Sequence, residues 1–349
     1  MSSVEVISFD INRVSIDEKR IPLVNTYVSI EIKGISTAYI NAFRRTSIDE
    51  LPGYALQVPN DTDWNETTDE FMLPQFVIQR ISLIPLKPNL GMDYSNIRFE
   101  LNVVNMTGEI LHVYSKDLIL KAGNLTSPIF NPTFKICVLQ PGKAIVIKNI
   151  YIATGVGKDN VAFQRVRCAC YKHLDIEEYD RNETHLPTGS QVDNSGYKIS
   201  SMLSNPKHHL YNCIIPATSN NKKEIVSIFI DICNNIKERI RFILSYIESL
   251  NNTNTNQSIT YNVFQLSDGI YEGTLVIKNE TYTIGELIRK TTYDIIPGII
   301  NIKYTILSHD DCLTLIIQYG EHVSSILIKV LKYIIKTFEQ LHQQFIKYK

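Results

Sequence analysis

Three things are scarce in this chain of 349 residues: an excess of one charge, cysteines in metal-binding spacing, and long apolar runs. Thirty-five Lys and Arg against 36 Asp and Glu leave a net charge of −1. That balance argues against a main role in gripping bare nucleic acid, so little direct nucleic-acid contact is expected. The six cysteines are scattered. Only Cys168 and Cys170 lie close together, and no pair of pairs with zinc spacing occurs. They read as reduced thiols of an intracellular protein, with no metal and no cofactor expected. No apolar run approaches a membrane-spanning length, which excludes a membrane partner at this level. The N-terminal MSSVEVISFD has neither a basic region nor a long apolar core, so no signal peptide is expected. The Asn-x-Thr triplets at Asn65, Asn105 and Asn279 then read as products of an Asn- and Ile-rich composition, not as glycan sites.

What is present is ordinary in bulk and specific in order. A hydrophobic share of 44% and a charged share of 20% suit a folded chain of two or three domains. The stretch NAFRRTSIDELPGYAL, residues 41 to 56, carries the most information. Before it, Val28, Ile30 and Ile32 alternate with Ser29, Glu31 and Lys33 as in a half-buried strand. Ser36 can cap the helix that follows, which sets Tyr39, Ala42, Phe43 and Leu51 on or near one face. Pro52 and Gly53 end it. Arg44 and Arg45 point to neighbouring sectors, so at least one faces solvent or a partner. On the residues alone, a plain solvated helix face is the better account of such a pair.

Residues 251–258, NNTNTNQS, read as a linker. Just before it, Ile225, Ile228, Phe229, Ile232, Ile236, Ile240, Ile243, Leu244, Ile247 and Leu250 mark a long amphipathic helix. After it come strands near 261–266 and 273–278, then a short helix with a Thr283/Glu286 capping box. Apolar segments 299–307 and 312–318 follow. A terminal helix ends the chain, with Val323, Ile326, Leu327, Val330, Leu331, Ile334, Phe338, Leu341 and Phe345 on one stripe. Both halves thus share one order: strand, short helix, more strands, long helix. The first is stretched by a mostly β insertion, with strands expected at 97–103, 134–139 and 144–152.

Several motifs carry less than they suggest. TGVGKD at 154–159 lacks the glycine spacing and the Ser/Thr of a phosphate loop, and a turn between strands accounts for it. His208, His209 and Cys213 could ligate a metal, against two loop histidines and a buried thiol. The acidic cluster Asp175, Glu177, Glu178 and Asp180 reads as a solvated loop rather than catalytic carboxylates.

In order, these segments resemble the α-like subunits of cellular RNA polymerases. NAFRRTSIDELPGYAL is similar to that family's arginine helix and Pro-x-x-Ala turn. DEFMLPQFVIQRISLIPL (69–86) resembles its Asp-Glu segment, arginine and Leu-Ile-Pro-Leu strand; YSKDLIL (114–120) its Ser-x-Asp-Leu element; GVGKDNVAF (155–163) its next conserved segment. YTIGELI (282–288) and TILSHDD (305–311) resemble the signatures of the smaller α-like partner. Phe43 stands where the family usually has leucine, and Gln79 precedes Arg80 where many members have histidine. With no cysteine between Leu86 and Ile136, the zinc or iron–sulfur site of some members is not expected here.

The resemblance implies a fusion of the third-largest subunit of RNA polymerase II with its eleventh-subunit partner, of the kind attributed to large cytoplasmic DNA viruses of the African swine fever type. The implied fold is α+β. Two α-like dimerisation modules, residues 1–52 with 166–250 and residues 259–349, would pack about a pseudo-twofold axis. A β-rich domain, 53–165, would be inserted in the first. The implied function is a non-catalytic assembly platform, and the implied partners are the second-largest and largest polymerase subunits. Small accessory subunits are left open. Asn41, Arg44, Arg45, Glu50 and Arg80 would bind partners; Ile228, Ile232, Ile236, Ile243, Leu327, Leu331, Ile334 and Phe338 would pair the modules. The implied compartment is the host cytoplasm (a viral factory) and the virion if the chain is viral, and the nucleus otherwise. A stand-alone structural or regulatory protein, or an enzyme using the β-rich insertion, stays open beside this reading.

Overall fold

The computed structural model describes residues 4–15, 24–59, 64–65, 73–86, 94–123, 129–174, 206–216, 222–249, 258–267, 269–306, 311–320 and 323–349. The acidic cluster at 175–180, nearly all of the expected linker and most of the 305–311 segment lie outside these residues.

Two four-stranded antiparallel sheets carry the helices. The first has the order β1-β2-β11-β10, from β1 (Glu5–Ser15), β2 (Val24–Lys33), β10 (Arg167–His173) and β11 (His208–Pro216). The second has the order β12-β13-β15-β14, from β12 (Ile259–Ser267), β13 (Ile270–Lys278), β14 (Asn301–Ile306) and β15 (Cys312–Tyr319). Helix α1 (Thr37–Asp49) follows β2 and the 28-residue α3 (Lys222–Ser249) follows β11. In the same places of the second unit stand α4 (Tyr282–Ile295) and α5 (Val323–Ile346). Each unit is therefore a strand pair, a short helix, a second strand pair and a long helix, with its sheet strands in one and the same order.

The repetition extends to single side chains. Setting Ile225 of α3 on Val323 of α5 places Ile228, Phe229, Ile232, Cys233, Ile236, Ile240, Ile243 and Ile247 on Ile326, Leu327, Val330, Leu331, Ile334, Phe338, Leu341 and Phe345, and every one of these is buried. Setting Tyr39 of α1 on Ile284 of α4 likewise matches Ala38, Ile40, Ala42, Phe43, Thr46 and Ser47 with Thr283, Gly285, Leu287, Ile288, Thr291 and Thr292, again all buried. The 3.6-residue period that marks each stripe in the sequence is thus one face of each helix turned to one core. That core is continuous across both sheets and all four helices.

A third sheet lies between α1 and β10 in sequence. It comprises β3 (Pro52–Gln57), β4 (Trp64–Asn65), β5 (Arg98–Val104), β7 (Leu118–Ala122) and the long β9 (Ala144–Val156), beside a small pair β6 (Leu111–Tyr114) and β8 (Lys135–Leu139). With α2 (Pro74–Ser82) it encloses a separate core around Leu56, Ile81, Phe99, Leu101 and Ile147. The seam to the first unit is tight. A β-carbon on Gly157 would run into the Ile48 carbonyl at the end of α1, and one on Gly155 into the Phe163 ring. Only glycine admits backbone this close, which explains the GVG run without a phosphate.

Several expectations need correction. The Leu-Ile-Pro-Leu segment is not a strand; α2 runs to Ser82 and Leu86 makes a single bridge to Phe130. The turn expected at 154–159 starts later, because β9 continues to Val156. His208 and His209 sit in strand β11, not in a loop. His209 is fully buried, with Nε2 2.9 Å from the Ile35 carbonyl and Nδ1 2.9 Å from His173 Nδ1. Cys213 is buried as expected, and burial pushes its thiol up to about 12. Neither expected capping side chain caps. Ser36 stands at the N-cap of α1 with a buried hydroxyl that finds no partner, and α4 begins after Thr281 instead of at Thr283.

Candidate functional site: the junction of the two repeats

The long helices α3 and α5 lie against each other and run antiparallel. Phe229 packs on Phe345, Lys237 on Glu339 and Glu248 on Lys332, so successive contacts climb one helix and descend the other. The short helices do the same, with Arg45 against Thr283 and Tyr39 against Thr291. The eight stripe residues expected to pair the units, Ile228, Ile232, Ile236, Ile243, Leu327, Leu331, Ile334 and Phe338, are all buried.

At one end of the junction the aromatic rings collect. Phe345 from the last turns of α5 stacks on Phe43 at 5.8 Å and on Phe229 at 5.7 Å, with Phe9 edge-on at 6.3 Å. The unusual Phe43 thus sits at the centre of a cluster, also touching Tyr211 edge-on at 5.3 Å. Tyr211 is fully buried and shares a 2.8 Å hydrogen bond with Ser47; burial holds its phenol well above the usual range. Tyr348 and Gln344 tie the same helix end back to β1, donating to the Val6 and Val4 carbonyls.

Polar groups cross the junction further along. Lys237 is 3% exposed and lies in the apolar stripe of α3. Its ammonium reaches Glu339 Oε2 at 2.5 Å and His342 Nδ1 at 3.1 Å. The Lys237 hydrogen bond pulls the Glu339 carboxyl down to about 2. Arg239, two residues on, donates to both carboxylate oxygens of Glu280 at 2.9 and 2.5 Å, and its Nη1 lies 3.7 Å from Glu50. Burial opposes that charge, but the two carboxylates outweigh it and hold Arg239 above its usual pKa.

The expected partner-binding residues divide between this junction and the surface. Arg45 turns to the second repeat, its Nε donating to Thr283 Oγ1 at 2.8 Å. Glu50 joins the Arg239 network. Both fall inside the junction because α4 covers that sector of α1. Arg44 stays on the other sector, half-buried, with Nε and Nη2 3.1 and 3.0 Å from Asn41 Oδ1. Arg80 is exposed at the end of α2, donating to the Lys135 carbonyl. Sequence reasoning missed Lys237, Arg239, Glu280 and Glu339. The available signal was a lysine standing inside an otherwise apolar stripe.

Glu339 gives a pH expectation. Its folded pKa is depressed below the ordinary carboxylate value of about 4.3, so its stabilisation is present above that value and fades as pH falls toward 2. Denaturant unfolding between pH 5 and pH 2 should show wild type losing more stability than Glu339→Gln. Parallel losses in the two proteins would contradict the linkage.

Among the described residues no group of three or more His, Cys, Asp and Glu is placed to hold a metal, and no helix is long and apolar enough to cross a membrane. The arrangement offers a cross-braced junction and charged outer edges, which suit binding.

No family model matches the chain. Individual relatives do. It is 34% identical over 334 residues to the DNA-directed RNA polymerase RPB3-11 homolog of African swine fever virus (strain Badajoz 1971 Vero-adapted), covering 93% of this chain and 89% of the relative. The homolog of the isolate Pig/Kenya/KEN-50/1950 is 33% identical over 333 residues with the same coverage. The DNA-directed RNA polymerase subunit Rpo3 of Picrophilus torridus is 27% identical over 184 residues, 47% of this chain and 66% of that protein.

Proposed function

The chain belongs to the RPB3-11 family of DNA-directed RNA polymerase subunits, and on that premise we propose that it is a non-catalytic assembly platform. Its two α-like modules, residues 1–52 with 166–250 and residues 259–349, pair within one chain about a pseudo-twofold axis. The β-rich domain 53–165 is inserted in the first. The observation that carries this reading is the junction itself: unlike repeats join short helix to short helix and long helix to long helix, each pair antiparallel, around one core. Twofold pairing of equivalent helices has that form. Fusion holds the modules near each other at an effective concentration of about the millimolar range and fixes their ratio.

The platform recruits the second-largest and largest polymerase subunits. Asn41 and Arg44 on the outward sector of α1, and Arg80 on α2, are the proposed contacts, since arginine's planar fork suits bidentate contacts across an interface. Arg45 and Glu50 serve the internal junction. The chain contributes no catalytic group, and it acts in the cytoplasmic viral factory and in the virion.

Affinity purification of the tagged chain from cells making the whole polymerase tests this. Wild type should bring down both large subunits. Arg44→Glu/Arg80→Glu should stay folded by circular dichroism and recover them at least about tenfold less. Failure of wild type to recover either subunit would overturn the reading.

A further inference from the structure

We infer that Lys237, Glu339 and Arg239 select the pairing of unlike repeats and exclude the pairing of like ones. The inference rests on the intramolecular pairing proposed above and adds its chemical basis. Because α3 and α5 share one burial register, the residue that would replace each partner in a like pair can be read directly. Glu339 of α5 corresponds to Arg241 of α3, and Lys237 corresponds to Ile335.

Two first repeats joined in the same crossing would therefore set each Lys237 against the other copy's Arg241. That repulsion occurs twice, at a site where Lys237 is 3% exposed. Two second repeats would set each Glu339 against an isoleucine. The second network behaves alike. Under the register of α1 on α4, the counterpart of Glu280 is Ile35, so in a pair of first repeats Arg239 would lose the carboxylate that it grips at 2.5 and 2.9 Å.

The apolar contacts differ between like and unlike pairs in shape but not in charge. Phe229 would meet Ile247 in place of Phe345, and Phe345 would meet Leu327 in place of Phe229, all buried apolar residues. The repulsive element of this junction thus lies in a few charges, since every stripe contact stays apolar in a like pair. Penalising the wrong partner in this way is how paired helices generally acquire specificity.

The test uses the full chain with a protease site placed within 251–258, cut after folding, and two differently tagged preparations mixed. In wild type, the cut halves stay together as unlike pairs and no like pairs form between tags. Arg241→Glu alters an exposed residue and converts the excluded Lys237–Arg241 contact into an attractive one. It should raise like pairs of the first repeat about tenfold or more. Lys237→Glu on the uncut chain should shift it from monomer toward dimer by light scattering, and adding Glu339→Lys should restore the monomer. Unchanged like-pairing in Arg241→Glu, or a Lys237→Glu chain that stays monomeric with wild-type stability, overturns the selectivity. Separation of the cut wild-type halves would instead overturn the pairing on which it rests.

Discussion

Replacing Phe345 with alanine should lower the unfolding free energy by roughly 3–5 kcal/mol, the largest single-residue loss expected in the chain. Phe345 has no exposed surface, and its ring contacts Phe9, Phe43 and Phe229. All three belong to the first repeat, whereas Phe345 ends the long helix of the second. The cavity would open between repeats, where neither unit can collapse to fill it alone. Leucine at the same position keeps much of the volume, so Phe345→Leu should lose clearly less. Denaturant unfolding of the two variants checks this. Equal and small losses would mean that the aromatic cluster contributes little to holding the repeats together.

Arg239→Ala should follow closely, with a loss of about 3–5 kcal/mol. The guanidinium faces Glu280 and Glu50, whose side chains are only 11% and 13% exposed. Its removal would leave both carboxylates buried without their main partner, and the penalty comes from that stranded charge more than from the lost bond. A second change separates the two contributions. Adding Glu280→Gln to Arg239→Ala should recover a substantial part of the loss, and a double-mutant cycle by denaturant unfolding measures the coupling. Additive losses would show that the two residues act independently.

Much of this fold was legible because two periods were clean. The stripes of α3 and α5 follow the helical period, and their described residues are buried except for the half-buried Leu244; Leu250 lies outside the described residues. Strands such as β5 and β13 alternate and were placed within a few residues. The missed elements have physical reasons. In β1 a bulge between Val6 and Ser8 shifts the register and breaks the alternation that would have marked the strand. In β11 the inward positions include His209, Tyr211 and Cys213, polar types that hide a period of two. The capping patterns at Ser36 and Thr283 failed because tertiary contacts intervened: one hydroxyl is buried, and the other accepts from Arg45.

The junction was legible only in part. Spacing placed Arg44 and Arg45 on neighbouring sectors of α1, but no local pattern says that α4 covers one of them. Lys237 and Arg239 lie two residues apart on a helix read for its isoleucines. Their partners lie about forty and one hundred residues downstream, at Glu280 and Glu339, beyond the reach of any helical spacing.

On the proposed function, one chain carries both halves of an α-like pair, held by its own junction. The most direct measurement is the mass of the wild-type chain after complete cleavage within 251–258, under native conditions. The expected result is one particle containing both fragments in equal amounts, persistent on dilution. Two separate fragments, or fragments paired with their own kind, would contradict it.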